Sequence, residues 1–256
     1  MSKGFSSIRF GTFLIMIIAT TIITSCKRQR SSPDTIADNE IDTVSAGSDW
    51  ITLFDGKNLN SWHSYGKETA GNAWKIEDSI LHLKVDAKSG WKTAGGGDLV
   101  TNETFSNFDL KLDWKISGGG NSGIFFYVHE DPSEFVDPNE TGLEMQVNDD
   151  ANANGKIEKH RAGDLYNLIS SSSPNLTKPA GEWNHAEVKA DRGKLDFYMN
   201  GQHILSTRLW DESWENMLEN SKFKDLENYG VYKKGKIALQ DHGQEVWFKN
   251  VMIKKL

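Results

Sequence analysis

A single cysteine, Cys26, occurs among the 256 residues, so the chain can form no internal disulfide and no paired-cysteine zinc site. No two histidines stand at the His-x-x-x-His spacing either. There is no Walker loop and no dinucleotide fingerprint. The runs Gly95-Gly96-Gly97 and Gly118-Gly119-Gly120 lie between β-rich stretches and open no helix, which suits turns or bare backbone beside a ligand better than a phosphate cradle. A Gly-x-Ser-x-Gly elbow is missing, which disfavours serine catalysis of the α/β-hydrolase kind. No self-similarity at 20–50 residues is visible, so propellers and solenoids are excluded. Positive charge is also scarce. The net charge is −7, and loss of the basic leader residues Lys3 and Arg9 would leave 27 basic against 36 acidic residues, net −9. That balance argues against nucleic acid and against anionic membrane surfaces as partners.

The first 25 residues read as a targeting segment. Lys3 and Arg9 form a basic start, Phe10–Ile23 an apolar stretch too short and too broken by Thr20 and Thr21 for a membrane span, and Ile23-Thr24-Ser25-Cys26 resembles a bacterial lipobox. Cys26 directly after the apolar stretch is therefore expected to carry lipid rather than to act as a nucleophile. Residues 26–48 hold few large apolar side chains and no sustained period, the composition of a flexible tether. The protein is expected to hang from the outer membrane of a bacterial envelope. The basic run Lys27-Arg28-Gln29-Arg30 favours the periplasmic face.

From residue 49 to 256 short β-rich runs alternate with turn residues every eight to twelve positions, with no βαβ alternation. This predicts one all-β sandwich or barrel. Hairpins are expected at Glu77-Asp78-Ser79, Asp191-Arg192-Gly193, Asn200-Gly201 and His242-Gly243. One stretch breaks the pattern: Trp210, Trp214, Met217 and Leu218 stand at helical spacing, with Asp211 as N-cap, and predict a short covering helix.

Chemistry-bearing residues concentrate between Thr141 and Ile169, TGLEMQVNDDANANGKIEKHRAGDLYNLI. Read as a strand, its start puts Glu144, Gln146 and Asn148 on one face. Ordinary glycosidases use two carboxylates, and this face supplies one, because Asp149 has the opposite parity. His160, Arg161, Asp164 and Tyr166 follow within seven residues. His160 and His242 each stand near a carboxylate, Asp164 and Asp241, that could orient the ring; a structural histidine bonded to loop backbone is the plainer alternative. Asp150, Asn152 and Asn154 followed by Gly155 match the first half of a calcium loop. Arg161 replaces the closing glutamate, however, so an Asn/Gly-rich turn is the simpler reading and no cofactor is expected. Of nine tryptophans most are expected in the core, while Trp91 and Trp183, beside glycine and polar loops, are the better candidates for stacking on a sugar.

Taken in order, LFDGKNLNSWH, GGGNSGIFFYV, GLEMQVND, HRAGDLYNLI, GEWNHAEV, YMNGQHIL, SKF and KIALQDHGQEVWFKNVMI resemble the 3-keto-disaccharide hydrolase family, from Trp50 to Leu256. The resemblance implies a concanavalin-like β-jelly-roll and, in many members, a lipoprotein of carbohydrate-degrading bacteria. It also implies cleavage of glycosides oxidised at C3, or hydration of the derived enone. A C3 ketone acidifies the C2 proton, so the C1 substituent can leave by elimination with no carboxylate nucleophile. On that reading Glu144 shares the proton work with His160 or His242, and Arg161 or Gln240 holds an oxyanion or hydroxyls. Tyr166 stacks or donates, and Gln146, Asn148, Asp164, Asp241 and Trp183 complete the substrate contacts. Tyr127, after SGIFF, stands where many members place Arg or Asn, and would alter which oxidised mono- or disaccharide is accepted. A non-catalytic carbohydrate-binding protein of the same fold and a conventional glycoside hydrolase are the alternatives.

Overall fold

The computed structural model describes residues 49–173 and 175–256; the leader, Cys26 and the tether lie outside them. The strands are β1 (Trp50–Phe54), β2 (Trp62–Ser64), β3 (Trp74–Glu77), β4 (Ile80–Leu83), β5 (Lys88–Ser89), β6 (Lys92–Thr93), β7 (Leu99–Thr101) and β8 (Phe108–Ile116). They continue as β9 (Asn121–Val128), β10 (Leu143–Asn148), β11 (Asn184–Asp191), β12 (Lys194–Met199), β13 (Gln202–Arg208), β14 (Lys236–Leu239) and β15 (Val246–Lys255). The one α-helix among the described residues, α1, spans Glu212–Glu219.

Two antiparallel sheets form the sandwich. The larger runs β13-β12-β11-β8-β15-β4-β3, with β1 also on β15, and the smaller runs β10-β9-β14-β7-β2. The ten-residue β15 serves two neighbours on one side, β4 along its first half and β1 along its second. Alternation does the sorting. Phe108, Leu110, Leu112, Trp114 and Ile116 of β8 point into the core, while Lys111, Asp113 and Lys115 between them stay at the surface. From the smaller sheet Ile124, Phe126, Leu143, Met145, Val147, Ile237 and Leu239 meet them. Burial of this many large apolar side chains, each contributing about 1.5–3 kcal/mol, is the main stabilising term.

Three turns follow the expected chemistry. Asp78 and Ser79 (φ 51° and 63°), Arg192 and Gly193 (47° and 85°), and Asn200 and Gly201 (49° and 81°) pair positive-φ residues in two-residue loops whose twist matches the strands. The turn expected at His242-Gly243 is different. β14 lies in the smaller sheet and β15 in the larger, so this segment crosses between layers and makes no hairpin. The same holds for β1 to β2 and β7 to β8.

α1 begins as expected: Asp211 Oδ1 accepts from the Trp214 amide at 2.9 Å. Trp214 is buried against Gly230, which in turn sits beside Leu143 of β10. Trp210 Nε1 donates to the Gly230 carbonyl, and the Gly230 amide donates to Thr141 O. Helix and following loop are thereby pinned above the β10 edge. That placement makes the pocket.

Candidate active site

The outer face of the smaller sheet carries a pocket of about 360 Å³. Its floor is a pair of cross-strand rows. In one, Gln146 of β10 pairs with Gly123 of β9, whose carbonyl accepts from the Gln240 amide just past β14. In the next, Glu144 pairs with Phe125, which pairs with Ala238. Asn121 closes one end and fixes Gln146 by accepting from its Nε2 at 2.6 Å. One wall is Tyr166 with Lys222, Phe223, Leu226 and Tyr229 from the stretch after α1; the other is Trp91, Asn139 and His242.

β10 is an edge strand, and the segment after it covers that edge. The amides of Gly163 and Tyr166 donate to Gln146 O and Glu144 O, and the Gln146 amide donates to Asp164 O. This strap carries Tyr166 to the rim. It also leaves Glu144 only 4% exposed with no side-chain hydrogen bond among the described residues. Burial therefore pushes its carboxyl up to about 8, against the opposing pull of the Lys222 ammonium and with a small push from Asp98. Glu144 thus keeps its proton to higher pH than an ordinary glutamate, and it is the one acidic side chain in the pocket lining among the described residues.

Gln240 is 6% exposed, and its Oε1 is buried with no partner among the described residues. Such a group stays costly until a ligand meets it. His242 packs obliquely on Trp91 at 5.3 Å, and its Nδ1 lies 3.1 Å from Gln244 Oε1. With the proton on Nδ1 donating to that oxygen, Nε2 is left as an acceptor. Trp91 and Leu226, 44% and 40% exposed, are the two exposed large apolar residues of the lining.

Of the residues singled out from sequence, Glu144, Gln146, Tyr166, Gln240, His242 and Trp91 meet in this pocket. The others do not line it, for identifiable reasons. His160 packs obliquely against Tyr166 at 4.8 Å; its Nδ1 contacts Asn154 Oδ1 and its Nε2 accepts from Asn167 Nδ2. Burial and the Lys222 charge lower its basicity, which fits a neutral ring that props Tyr166. Asp164 is fully buried and accepts from the amides of Arg161 and Ser171, and the Arg161 side chain lies over Asp164 at 3.8 Å. Both belong to the strap's own frame. Asn148 is buried among Asp150 and Asn152.

Asp241 is fully buried between its pocket-lining neighbours and points the other way. It accepts from the amides of Thr93, Gly97 and Gly243 and from Thr93 Oγ1. It braces the loops that carry Trp91 and His242. Trp183 stands on the outer face of the larger sheet with Lys115 and Lys249 over its ring at 5.2 and 4.2 Å.

Tyr127 is the clearest correction. Plain alternation from Gly123 and Phe125 would aim it at the pocket. A bulge intervenes, with β9 running from Phe125 to Val128 while β14 runs from Ala238 only to Lys236. Tyr127 takes φ 58°, turns into the core beside Phe108 and Trp210, and donates its hydroxyl to Ser106 O at 2.7 Å. Burial drives its phenol well above its usual range.

The calcium-loop oxygens are engaged in hydrogen bonds within their own segment. Asp150 Oδ1 accepts from the Ala162 amide, Asn152 Oδ1 accepts from the Gly155 amide, and Asn154 Oδ1 meets His160. These bonds hold the stretch as a turn.

Sequence reasoning missed Asn121, Asn139, Phe223 and Tyr229 in the lining, along with Lys222. Ser221-Lys222-Phe223 was among the family motifs but carried no chemical pattern of its own.

A two-sheet jelly-roll with a sugar-sized pocket, polar at the floor and aromatic at the rim, defines a carbohydrate-type site. Comparison with known proteins narrows this. Residues 49–254 match the family described as the 3-keto-alpha-glucoside-1,2-lyase-like domain, and the chain belongs to that family. It is 34% identical over 228 residues, 81% of this chain and 78% of the other, to a 3-keto-disaccharide hydrolase of Bacteroides thetaiotaomicron. Among solved structures it is similar to a candidate glycosyl hydrolase of Parabacteroides distasonis: TM-score 0.71, 32% identity, covering 81% of this chain and 94% of that one. A second such protein from the same organism, at TM-score 0.59 and 23% identity over 81% of this chain and 99% of that one, shares the fold.

Proposed function

We propose that the protein is a carbohydrate-active enzyme that cleaves glycosides already oxidised to a ketone at C3, by proton chemistry at C1 and C2. The observation that carries this reading is the solitary carboxyl: Glu144 has no acidic partner in the lining among the described residues. Direct displacement at C1 in an ordinary glycosidase uses two carboxylates roughly 5–10 Å apart. A 3-keto substrate removes that requirement, because one base at C2 and one acid at the leaving oxygen suffice. Glu144, which keeps its proton to higher pH than an ordinary glutamate, supplies the acid. His242 Nε2 supplies the base. Gln146 and Gln240 hold sugar hydroxyls, and the rings of Tyr166 and Trp91 pack on the apolar faces of the substrate. Water adds to the resulting enone to complete net hydrolysis. The similarity to a protein named for 3-keto-disaccharide hydrolysis supports this assignment.

The test is direct: incubate the purified protein with 3-keto-trehalose and with trehalose, and follow released sugar. Release from the keto form alone is the expected result. Release from unoxidised trehalose would replace the reading with conventional glycoside hydrolysis, and binding without release would leave a carbohydrate-binding protein.

The leader pattern supports a further part of the proposal, a lipid on Cys26 and a periplasm-facing place at the outer membrane. In that case Cys26→Ser should shift the protein from the membrane to the soluble fraction and abolish labelling by a fatty-acid probe.

A further inference from the structure

Lys222 is the one lysine or arginine lining the pocket among the described residues. Its ammonium stands 4.0 Å from the centre of the Tyr166 ring and 5.0 Å from that of Phe223. It forms no ion pair and donates no hydrogen bond among the described residues. Nearby lysines are spent differently: Lys92 is tied to Asp98 and Asp137, and Lys236 donates to Glu130 at 2.6 Å. Lys222 shares the pocket with Glu144, which feels its charge yet is buried without a side-chain hydrogen bond among the described residues. In the free state Lys222 is exposed and water screens it; a sugar seated over Gly123 displaces that water and strengthens its field.

The lining thus offers a cation with no counter-charge to a substrate that arrives neutral. Such an arrangement stabilises an anion that exists only during the reaction, which is where binding energy raises the rate. Resting on the keto-glycoside reading above, we infer that Lys222 is a catalytic residue whose ammonium receives the enolate charge on the C3 oxygen. His242 Nε2 takes the C2 proton, and the C–H electron pair forms the C2–C3 double bond as the ketone oxygen becomes an enolate facing Lys222. The enolate then reforms the ketone, a C1–C2 double bond forms, the C1–O bond breaks, and Glu144 delivers its proton to the departing oxygen. No oxidant or reductant is consumed.

The experiment separates enolisation from leaving-group departure. A 3-keto-1,5-anhydroglucitol has the C2 proton and the ketone but no glycosidic group at C1, so exchange at C2 in D2O with the ring intact, followed by NMR, reads enolisation apart from glycoside departure. The wild-type protein should exchange this proton and cleave 3-keto-trehalose. Lys222→Met should lose at least about 100-fold in exchange and in kcat while KM changes only a few-fold, and Lys222→Arg should recover much of the rate. Glu144→Gln should keep exchange and lose cleavage. Thermal melting of each variant checks the fold. Wild-type exchange rates in a folded Lys222→Met protein would overturn the inference, as would a rise in KM at unchanged kcat. In either case the keto-glycoside reading stands. A wild-type protein that neither exchanges nor cleaves would remove that reading and the inference together.

Discussion

The carboxyl of Glu144 lies in the space that a side chain on Gly123 would fill: a Cβ there would come 2.1 Å from Glu144 Oε1. Strand β9 gives up a side chain at this point so that the acid can lie flat on the sheet beneath the pocket. The backbone of Gly123 is ordinary, since it is not among the positive-φ glycines. Alanine therefore fits the strand, and the cost falls on the carboxyl. Gly123→Ala should reduce kcat at least ten-fold with a stability change of no more than about 1–3 kcal/mol, checked by steady-state kinetics beside thermal melting.

The Glu144 carboxyl, raised to about 8, ties stability to pH in a defined direction. Between the ordinary glutamate value and about 8 the unfolded chain has lost this proton and the folded chain keeps it. Stability is then fully present below about pH 4.5 and falls as pH rises, by up to about 1.4 kcal/mol per pH unit, levelling off above pH 8. Asp98 and Asp150, each raised to about 6, add slopes of the same sign at lower pH. The difference between wild type and Glu144→Gln isolates the one group. The variant should be relatively more stable at pH 8 than at pH 5, and roughly 100- to 10,000-fold less active. Parallel melting curves for the two proteins from pH 5 to 9 would remove Glu144 from this account.

Gln240 presents the opposite balance. Its Oε1, buried and without a partner among the described residues, costs the folded protein stability that a ligand can recover. Gln240→Leu should melt at the same temperature or higher than wild type while kcat/KM falls at least ten-fold. A large loss of stability would show that the amide has a structural partner.

Asp241 and Tyr127 should separate support from contact. Asp241→Asn sets an NH2 against donors from Thr93, Gly97 and Gly243, so it should cost about 2–4 kcal/mol and lower activity by loosening the Trp91 and His242 loops. Tyr127→Phe removes the bond to Ser106 O and should cost about 1 kcal/mol with kcat/KM unchanged. A change in substrate preference in the Tyr127 variant would contradict its burial.

Trp91 is the exposed partner in the rim. Trp91→Ala should leave the melting temperature within a few degrees and raise KM several-fold, most for substrates with a flat leaving group, as read by comparing 3-keto-trehalose with an aryl 3-keto-glucoside.

By itself the sequence determined what depends on near neighbours. Strand parity put Glu144 and Gln146 on one face, pairs such as Asn200-Gly201 set the tight turns, and Asp211 started the helix. Only the tertiary structure decided what depends on distant partners. Gly235 lets the chain approach the Tyr127 backbone so closely that a Cβ would meet it at 2.3 Å, and the bulge there turns Tyr127 away from the pocket that alternation assigns it. β14 and β15 fall in different sheets, so Asp241 is drawn down onto the Thr93–Gly97 loop while Gln240 and His242 stay in the lining. Trp214, seated against Gly230, which lies beside Leu143, brings Lys222 and Tyr229 into one pocket with a carboxyl more than seventy positions earlier in the chain. Side-chain alternation is a local rule with a period of two, whereas bulges, crossings and docked loops are fixed by packing between segments the local pattern cannot see.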